Sequence, residues 1–178
     1  MKREEVEHVL RACAAITTDN SFVVIGSQAV LIPHPDAPAE LLMSNELDLY
    51  PAMHPERSEL IAGAIGELSM FHDTFGYHAD GVSPETAKMP ADWMKFATLH
   101  YLGDITVVCP DLHDIAVAKC VAGREKDAVW IRALLRHGLI QAPRFIERLR
   151  ALDASAHPID RLVAWAELRA RESQLGHP

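Results

Sequence analysis

Two spacings of apolar residues divide the chain near residue 110. Before this point, short β-branched runs and the alternating stretch 46–50 predict strands, with helical apolar spacing between them. After it, helical spacing continues, and Asp111 or a proline stands near several predicted helix starts. The pattern predicts an α/β core over residues 1–109 and a helical region over residues 110–178 that packs on the core as one unit.

The individual elements follow from these spacings and from the glycines and prolines between them. In the core we expect helices at 3–16, from 27 onward and at 54–68, and strands at 21–26, 46–50, 75–82, 94–101 and 104–109. In the C-terminal region we expect helices at 111–123, 124–138, 142–152 and 158–172. The stretches 33–40 and 83–90 are predicted loops. Trp93, Trp130 and Trp165 are expected to anchor the core.

The stretch 22–27, FVVIGS, joins a predicted buried strand to a predicted helix through Gly26 and Ser27. A glycine at such a turn lets the backbone approach a ligand closely. The free N–H groups at a helix start favour an anion such as phosphate, and Ser27 adds a hydroxyl donor. The same dipeptide also serves as an ordinary helix cap, so a phosphate-binding turn and a structural cap are both open at this point.

The stretch 44–51, SNELDLYP, carries two acids one residue apart, Glu46 and Asp48, within an apolar run. Alternation puts both on one strand face, about 7 Å apart. Carboxylates this close repel each other unless a cation lies between them. Mg²⁺ prefers carboxylate oxygen and usually shares its coordination with substrate phosphates. The pair predicts either a metal platform for nucleotidyl transfer or a solvent-exposed acidic face.

Three blocks carry a family resemblance: the segment from VVIGSQAVL to SNELDLYP, the segment that begins FHDTFGYHADGV, and HDIAVAKCVAGREKD. A Gly-Ser turn followed by an acid–apolar–acid strand resembles the nucleotidyltransferase fold of the polymerase-beta superfamily, with stretch 33–40 as an insertion. Over roughly residues 20–140 the chain resembles a prokaryotic nucleotidyltransferase-like family without an assigned substrate, related to abortive-infection and MenT-like toxin enzymes. The resemblance implies a mixed sheet flanked by helices and a C-terminal helical bundle.

The resemblance also gives the third block a role. It implies that Lys119 neutralises nucleotide phosphate and that Asp127 is an orienting or basic partner. Arg124 would contact the triphosphate bidentately, and Lys126 would add positive charge. For Arg124 and Lys126 the alternative is a charged helix start with local ion pairs. Lys119 lies in an otherwise apolar stretch, which favours a functional role.

A complete site of this kind is expected to hold a third carboxylate, as a base or a further metal ligand. Asp80, near the end of the predicted strand 75–82, is the candidate by topology. Asp73 is the second choice. If neither lies near the metal, the expectation is either weak catalysis or the use of Asp127 instead.

Two histidine–aspartate pairs, His72-Asp73 and His113-Asp114, resemble the motif of HD phosphohydrolases. That fold is all-helical, and its metal ligands lie on helices. Because His72 is predicted at a helix-to-strand junction, we set a phosphohydrolase centre aside and expect most of the ten histidines at the surface.

The composition is ordinary for a soluble globular protein, with 49% hydrophobic and 24% charged residues among 178. The net charge is −8, yet residues 1–118 hold 6 Lys/Arg against 18 Asp/Glu, and residues 119–178 hold 11 against 7. The basic part allows a polyanionic acceptor such as RNA.

We expect a cytoplasmic protein without a membrane partner, because no apolar run approaches the roughly 20 residues of a membrane span and the N-terminus lacks the pattern of a secretory signal. The three cysteines form no disulfide or zinc pattern.

Together these features favour a metal-dependent nucleotidyltransferase. We expect Mg²⁺ or Mn²⁺ on Glu46 and Asp48, an NTP bound by Gly26 and Ser27, and transfer of an NMP to a hydroxyl acceptor. RNA, such as a tRNA 3′ end, is the acceptor considered, and family analogy suggests a toxin with an antitoxin partner. The alternative is a catalytically weak or inactive member of the fold that binds a nucleotide or a protein partner, because Glu46 stands where aspartate is commoner.

Overall fold

The computed structural model describes residues 1–175 and divides the chain into two compact units. The sheet unit comprises Met1–Thr86 and Ala97–Pro110, and the helical unit comprises Ala87–Phe96 and the described residues from Asp111 onward. Strands and helices are both present, so the mixed α/β class predicted from the apolar spacing is confirmed. The stretch 87–96 lies between two strands in sequence but groups with the helices.

The sheet unit is built on five strands in the order β3–β2–β1–β5–β4. They are β1 (Ser21–Ile25), β2 (Glu46–Pro51), β3 (His78–Gly81), β4 (Thr98–Leu102) and β5 (Ile105–Cys109). Strand β1 pairs antiparallel with β2 and parallel with β5. Strand β3 runs parallel to β2, and β4 and β5 form an antiparallel hairpin. This is the mixed sheet that the family resemblance implied.

One face of the sheet is apolar and covered by helices. Alternate residues of β1 and β2, among them Phe22 and Leu49, are completely buried on it. Helix α2 (Ser58–Ile65) lies so close to β3 on this side that a Cβ at Gly81 would overlap the Ser58 carbonyl. Because successive residues of a strand alternate, the acids of β2 point to the opposite face.

The helices of the sheet unit begin with α1 (Arg3–Thr17), which confirms the predicted first helix. The helix predicted at 54–68 is confirmed over a shorter range and in two parts. This segment contains a 3₁₀ turn, Pro55–Arg57, followed by α2, which ends where Gly66 adopts an extended conformation.

A further short helix, α3 (Met70–Phe75), was not predicted. The Ser69 hydroxyl caps it by accepting the His72 N–H at 3.1 Å. Gly76 ends it in the left-handed conformation at φ 76°, so the predicted strand 75–82 shortens to β3. His72 therefore lies within a helix, and its predicted place at a helix-to-strand junction is wrong.

The helical unit contains α4 (Leu112–Ala122), α5 (Glu125–Arg136), α6 (Ala142–Arg150) and α7 (Ile159–Leu175). Asp111 caps α4 by accepting the His113 N–H, and Gly123 ends it at φ 65°. Both end signals were predicted and are confirmed. Trp130 is buried at 5% exposure, in agreement with its predicted core role.

Arg148 of α6 binds the stretch 87–96 within the helical unit. The Nη2 atom of Arg148 donates to Asp92 at 2.9 Å, and its Nε donates to the buried Asp114 of α4 at 2.6 Å. The same guanidinium lies 4.4 Å from the centre of the Phe96 ring. One arginine therefore joins the stretch and two helices.

Candidate active site

Strand β1 ends in a turn whose conformation requires glycine. Gly26 has φ 75° and ψ −171°, a region that is essentially restricted to glycine. A Cβ built on Gly26 would overlap Oδ2 of Asp48 and lie 2.7 Å from its Cγ. The β1–β2 register pairs Ile25 with Asp48. Antiparallel pairing thus brings the predicted phosphate-binding turn against a predicted metal-binding carboxylate.

Three acids occupy neighbouring positions on the second face of the sheet. Glu46 and Asp48 alternate along β2, and the parallel β2–β3 register pairs Asp80 with Asp48, at a strand spacing of about 4.8 Å. The Asp80 residue is exposed, yet desolvation of its carboxyl group and the negative charge of Glu46 raise its pKa, partly opposed by His78. Asp73, the second choice for a third carboxylate, lies on α3 instead. Asp80 is thus the third acid that the topology brings beside the β2 pair.

The helix predicted to begin at Ser27 is present as a short 3₁₀ helix, Ser27–Leu31. Pro33 lacks the N–H that a longer helix would need. So short a helix has little macrodipole, and an anion at this turn would depend on the local N–H groups and the Ser27 hydroxyl. Gln28 is completely buried, and its Nε2 donates to the Leu41 carbonyl at 3.3 Å, which joins the turn to the 3₁₀ helix Ala39–Leu41.

Glu46 and Asp48 fit a divalent cation that takes further ligands from its substrate. Within residues 1–175, no group of three or more His, Cys, Asp or Glu side chains is arranged to hold a metal ion by itself. Mg²⁺ in phosphate-transfer sites is commonly held by one or two carboxylates together with substrate phosphates and waters. The β2 pair and the glycine turn beside Asp48 match the protein's part of such a donor set.

A second charged cluster joins the end of α4 to the start of α5. The buried Asp127 accepts from Lys119 Nζ at 3.1 Å through Oδ1 and from Arg124 Nε at 2.9 Å through Oδ2. Burial acts to raise the pKa of Asp127, but the charges and hydrogen bonds of Lys119 and Arg124 outweigh it and lower the pKa. The Lys119 Nζ also lies 5.2 Å from the centre of the Trp130 ring. Lys126, the residue before Asp127, is exposed.

Comparison with protein families gives a match over residues 4–168 to a family described as a nucleotidyltransferase of unknown function, DUF6036. The chain belongs to this nucleotidyltransferase family. The matched range includes the Gly26 turn, the β2 carboxylates and the Lys119–Asp127 cluster. No curated protein and no solved structure matches the chain.

In the described residues, no helix has the length and apolar character needed to span a bilayer.

For a nucleotidyltransferase, the geometry separates the two roles implied for Asp127. An aspartate whose pKa is lowered by two cations is ionised at neutral pH and is a poor base. The contacts therefore fit an orienting partner for Lys119 and Arg124. These residues belong to the helical unit, whereas the β2 carboxylates belong to the sheet unit, and a shared role on one nucleotide stays a prediction.

Sequence reasoning missed His78, which the register pairs with Glu46. His78 is 8% exposed, and its Nδ1 has no hydrogen-bond partner among the described residues. Its ring centre lies 4.5 Å from that of His72 on α3. The signal was the alternation of His78 with Asp80, which puts both on one face once β3 is known to pair with β2.

The histidine–aspartate pair on α4 serves packing between helices. His113 Nδ1 lies 2.6 Å from Asp111 Oδ1, and its Nε2 accepts the Gln141 N–H at 3.0 Å. Asp114 is completely buried and binds the Arg148 guanidinium at 2.6 and 3.2 Å. These contacts join α4 to α6 and occupy the groups that a phosphohydrolase would need for metal.

Proposed function

We propose that this protein is a metal-dependent nucleotidyltransferase that moves an NMP from an NTP to a hydroxyl acceptor. The observation that carries the proposal is the close approach of Gly26 to Asp48, because a turn suited to phosphate lies against a carboxylate suited to a cation. Membership of the nucleotidyltransferase family supports the same reaction class. In this reaction an acceptor hydroxyl oxygen attacks the α-phosphorus, the bond to the bridging oxygen breaks, and pyrophosphate leaves.

In the proposed site, Glu46 and Asp48 hold Mg²⁺ or Mn²⁺, and Gly26 and Ser27 bind the β- and γ-phosphates. The cation, when bound, neutralises charge on the phosphates. Asp80 completes the set of carboxylates and takes the proton of the acceptor hydroxyl, a role that its raised pKa supports. Positioning and charge neutralisation supply most of the rate.

Lys119, Arg124 and Lys126 are the proposed phosphate-binding cations of the helical unit. The Arg124 side chain is 59% exposed although its Nε contacts Asp127, so its guanidinium retains surface toward a ligand. The Lys119 side chain is 11% exposed and is held by Asp127. We therefore assign Asp127 the role of orienting these two cations.

RNA, such as a tRNA 3′ end, is the proposed acceptor, and a toxin role in the cytoplasm with an antitoxin partner is the proposed setting. The support is the basic charge of residues 119–178. Part of that charge is neutralised locally, because Arg132 contacts Glu172 at 2.9 Å and Arg171 contacts Glu167 at 3.6 Å. The exposed Arg150 and Arg161 extend the basic surface on α6 and α7.

A second candidate function is nucleotide or protein binding without transfer. The pairing of Lys119 and Arg124 with the buried Asp127 favours it, because Asp127 already neutralises one of the two positive charges of this cluster within the protein. Glu46 in place of aspartate points the same way.

Label transfer and ligand-dependent stabilisation distinguish the two functions. The protein is incubated with Mg²⁺, each α-labelled NTP and total RNA, and its thermal midpoint is measured with each NTP. We expect labelled RNA from the wild type, loss of label in Asp48→Asn with unchanged circular dichroism, and retained label in the control Asp73→Asn. Stabilisation by an NTP without any transfer would support the binder. Transfer that survives in both Glu46→Gln and Asp48→Asn would reject the site.

A further inference from the structure

Strand β4 forms one edge of the sheet and carries no charged residue or proline that would oppose pairing there. It comes last in the strand order, after β5. Its five residues, TLHYL, include no proline and no Lys, Arg, Asp or Glu, the residues by which proteins commonly block pairing at an edge. Leu99 is 56% exposed and Tyr101 is 69% exposed. The edge therefore offers backbone groups and apolar side chains to an added strand.

The side-chain pattern of β4 is self-complementary. The register pairs Leu99 with Val108 and Tyr101 with Thr106, so Leu99 and Tyr101 share one sheet face and His100 lies on the other. In an antiparallel pair of two β4 strands with a two-fold axis at His100, Leu99 lies opposite Tyr101 of the second copy, and Thr98 lies opposite Leu102. Aromatic–aliphatic cross-strand pairs of this kind stabilise a sheet.

The charges that flank β4 in sequence favour the same antiparallel arrangement. Lys95 precedes the strand and Asp104 follows it. A two-fold axis at His100 brings the segment before one strand to the segment after the other, so that Lys95 of one copy comes to the end that carries Asp104 of the second. A parallel arrangement would instead bring like charges together.

We propose that β4 pairs antiparallel with β4 of a second copy of this chain, forming a ten-stranded sheet about a two-fold axis. The inference stands apart from the proposed transferase reaction. A single strand on each side buries less than the roughly 800 Å² per partner of a standard interface. We therefore expect a reversible dimer with a Kd on the order of micromolar.

Sedimentation velocity over a range of concentrations tests the proposal. We expect the wild type to shift from monomer to dimer with concentration and Tyr101→Lys to stay monomeric, because a lysine at this edge position opposes pairing. The matched control is Met53→Lys, since Met53 is 76% exposed and lies outside β4, and it should dimerise like the wild type. Unchanged circular dichroism verifies folding. A wild type that is monomeric throughout, or a dimer unaffected by Tyr101→Lys, would overturn the proposal.

A cysteine scan tests the register independently of affinity. Residue 100 lies opposite itself across the axis, so His100→Cys should form a disulfide-linked dimer under mild oxidation. The three native cysteines are buried and should leave the wild type uncrosslinked. Leu99→Cys should crosslink less, because its opposite residue is Tyr101. Equal crosslinking at both positions would indicate parallel pairing, and crosslinking at neither would contradict the interface.

Discussion

The Asp48 carboxylate occupies the space that a side chain at Gly26 would need. The turn after β1 and the acid on β2 are thus one structural unit, since neither can keep its position if residue 26 carries a Cβ. Gly26 also holds a φ of 75° that favours glycine. Both the close contact with Asp48 and the backbone conformation therefore require glycine at the turn where we propose that phosphate and cation meet.

Gly26→Ala is expected to damage both stability and ligand binding. The backbone conformation costs an L-residue about 1–3 kcal/mol, and the new methyl group must displace Asp48. We expect a lower urea midpoint and loss of Mg²⁺- and NTP-dependent thermal stabilisation.

Gly63→Ala is the matched control for this substitution. Gly63 lies within α2, and a Cβ there meets no atom within 4 Å. The change should raise the free energy of unfolding by about 0.5–1 kcal/mol and leave ligand-dependent stabilisation intact. If Gly26→Ala raised the free energy of unfolding and kept the ligand-dependent stabilisation, as Gly63→Ala should, the close approach of Gly26 to Asp48 would have no role in ligand binding.

Asp127→Asn tests the charged cluster at the start of α5. The change leaves Lys119, whose side chain is 11% exposed, without its anion, and breaking a buried ion pair commonly costs about 3–5 kcal/mol. The control is Asp160→Asn at an exposed position of α7. Urea unfolding at pH 7 should separate the two variants, and equal midpoints would show that the cluster contributes little to stability.

The same aspartate predicts a pH dependence of stability. Because the pKa of Asp127 is lowered in the folded protein, its ionisation stabilises the fold above the unfolded pKa of about 3.9. That contribution is lost as the pH falls through the folded pKa. The wild type should therefore lose more stability than Asp127→Asn between pH 7 and pH 3. If the two proteins lost stability in parallel over this range, the result would contradict the lowered pKa of Asp127.

Arg148→Met should destabilise the helical unit. It leaves the completely buried Asp114 without its guanidinium partner and releases Asp92 of the stretch 87–96. We expect a loss of about 3–5 kcal/mol in unfolding free energy and faster proteolysis within the stretch. Arg150→Met, at an exposed position of the same helix, should change little. A variant as stable as this control would show that the stretch is held by other contacts.

Local patterns predicted much of the fold because they depend on neighbours in sequence. The alternation of Glu46 and Asp48, the glycine after β1 and the Asp111 and Gly123 signals of α4 all act within a few residues. The helix that begins at Ser27 was predicted, but its 3₁₀ type and short length were not, because its apolar spacing resembles that of an α-helix.

The rest of the site depends on strand pairing, which sequence spacing does not specify. Asp80 and His78 enter the site only because β3 runs parallel to β2 in one register. A shift of one residue would move both to the opposite face. The burial of Asp127 likewise depends on the turn between α4 and α5, so the family resemblance singled out Asp127 as the partner of Lys119, whereas residue spacing alone did not show that it would be buried.

The pKa of Asp80 is raised, so its ionisation destabilises the fold, whereas the pKa of Asp127 is lowered, so its ionisation stabilises the fold. The folded state holds the Asp80 proton more tightly than the unfolded state, so ionisation of this carboxyl lowers stability as the pH rises from about 3.9 through the folded pKa. Asp80→Asn should therefore raise the urea midpoint at pH 7 without metal, and the gain should vanish near pH 3. Mg²⁺ should reduce the difference in urea midpoint between Asp80→Asn and the wild type, because it neutralises Glu46 and Asp48. The control Asp73→Asn, on α3, should show neither effect, and a metal-free Asp80→Asn no more stable than wild type at pH 7 would contradict the raised pKa of Asp80.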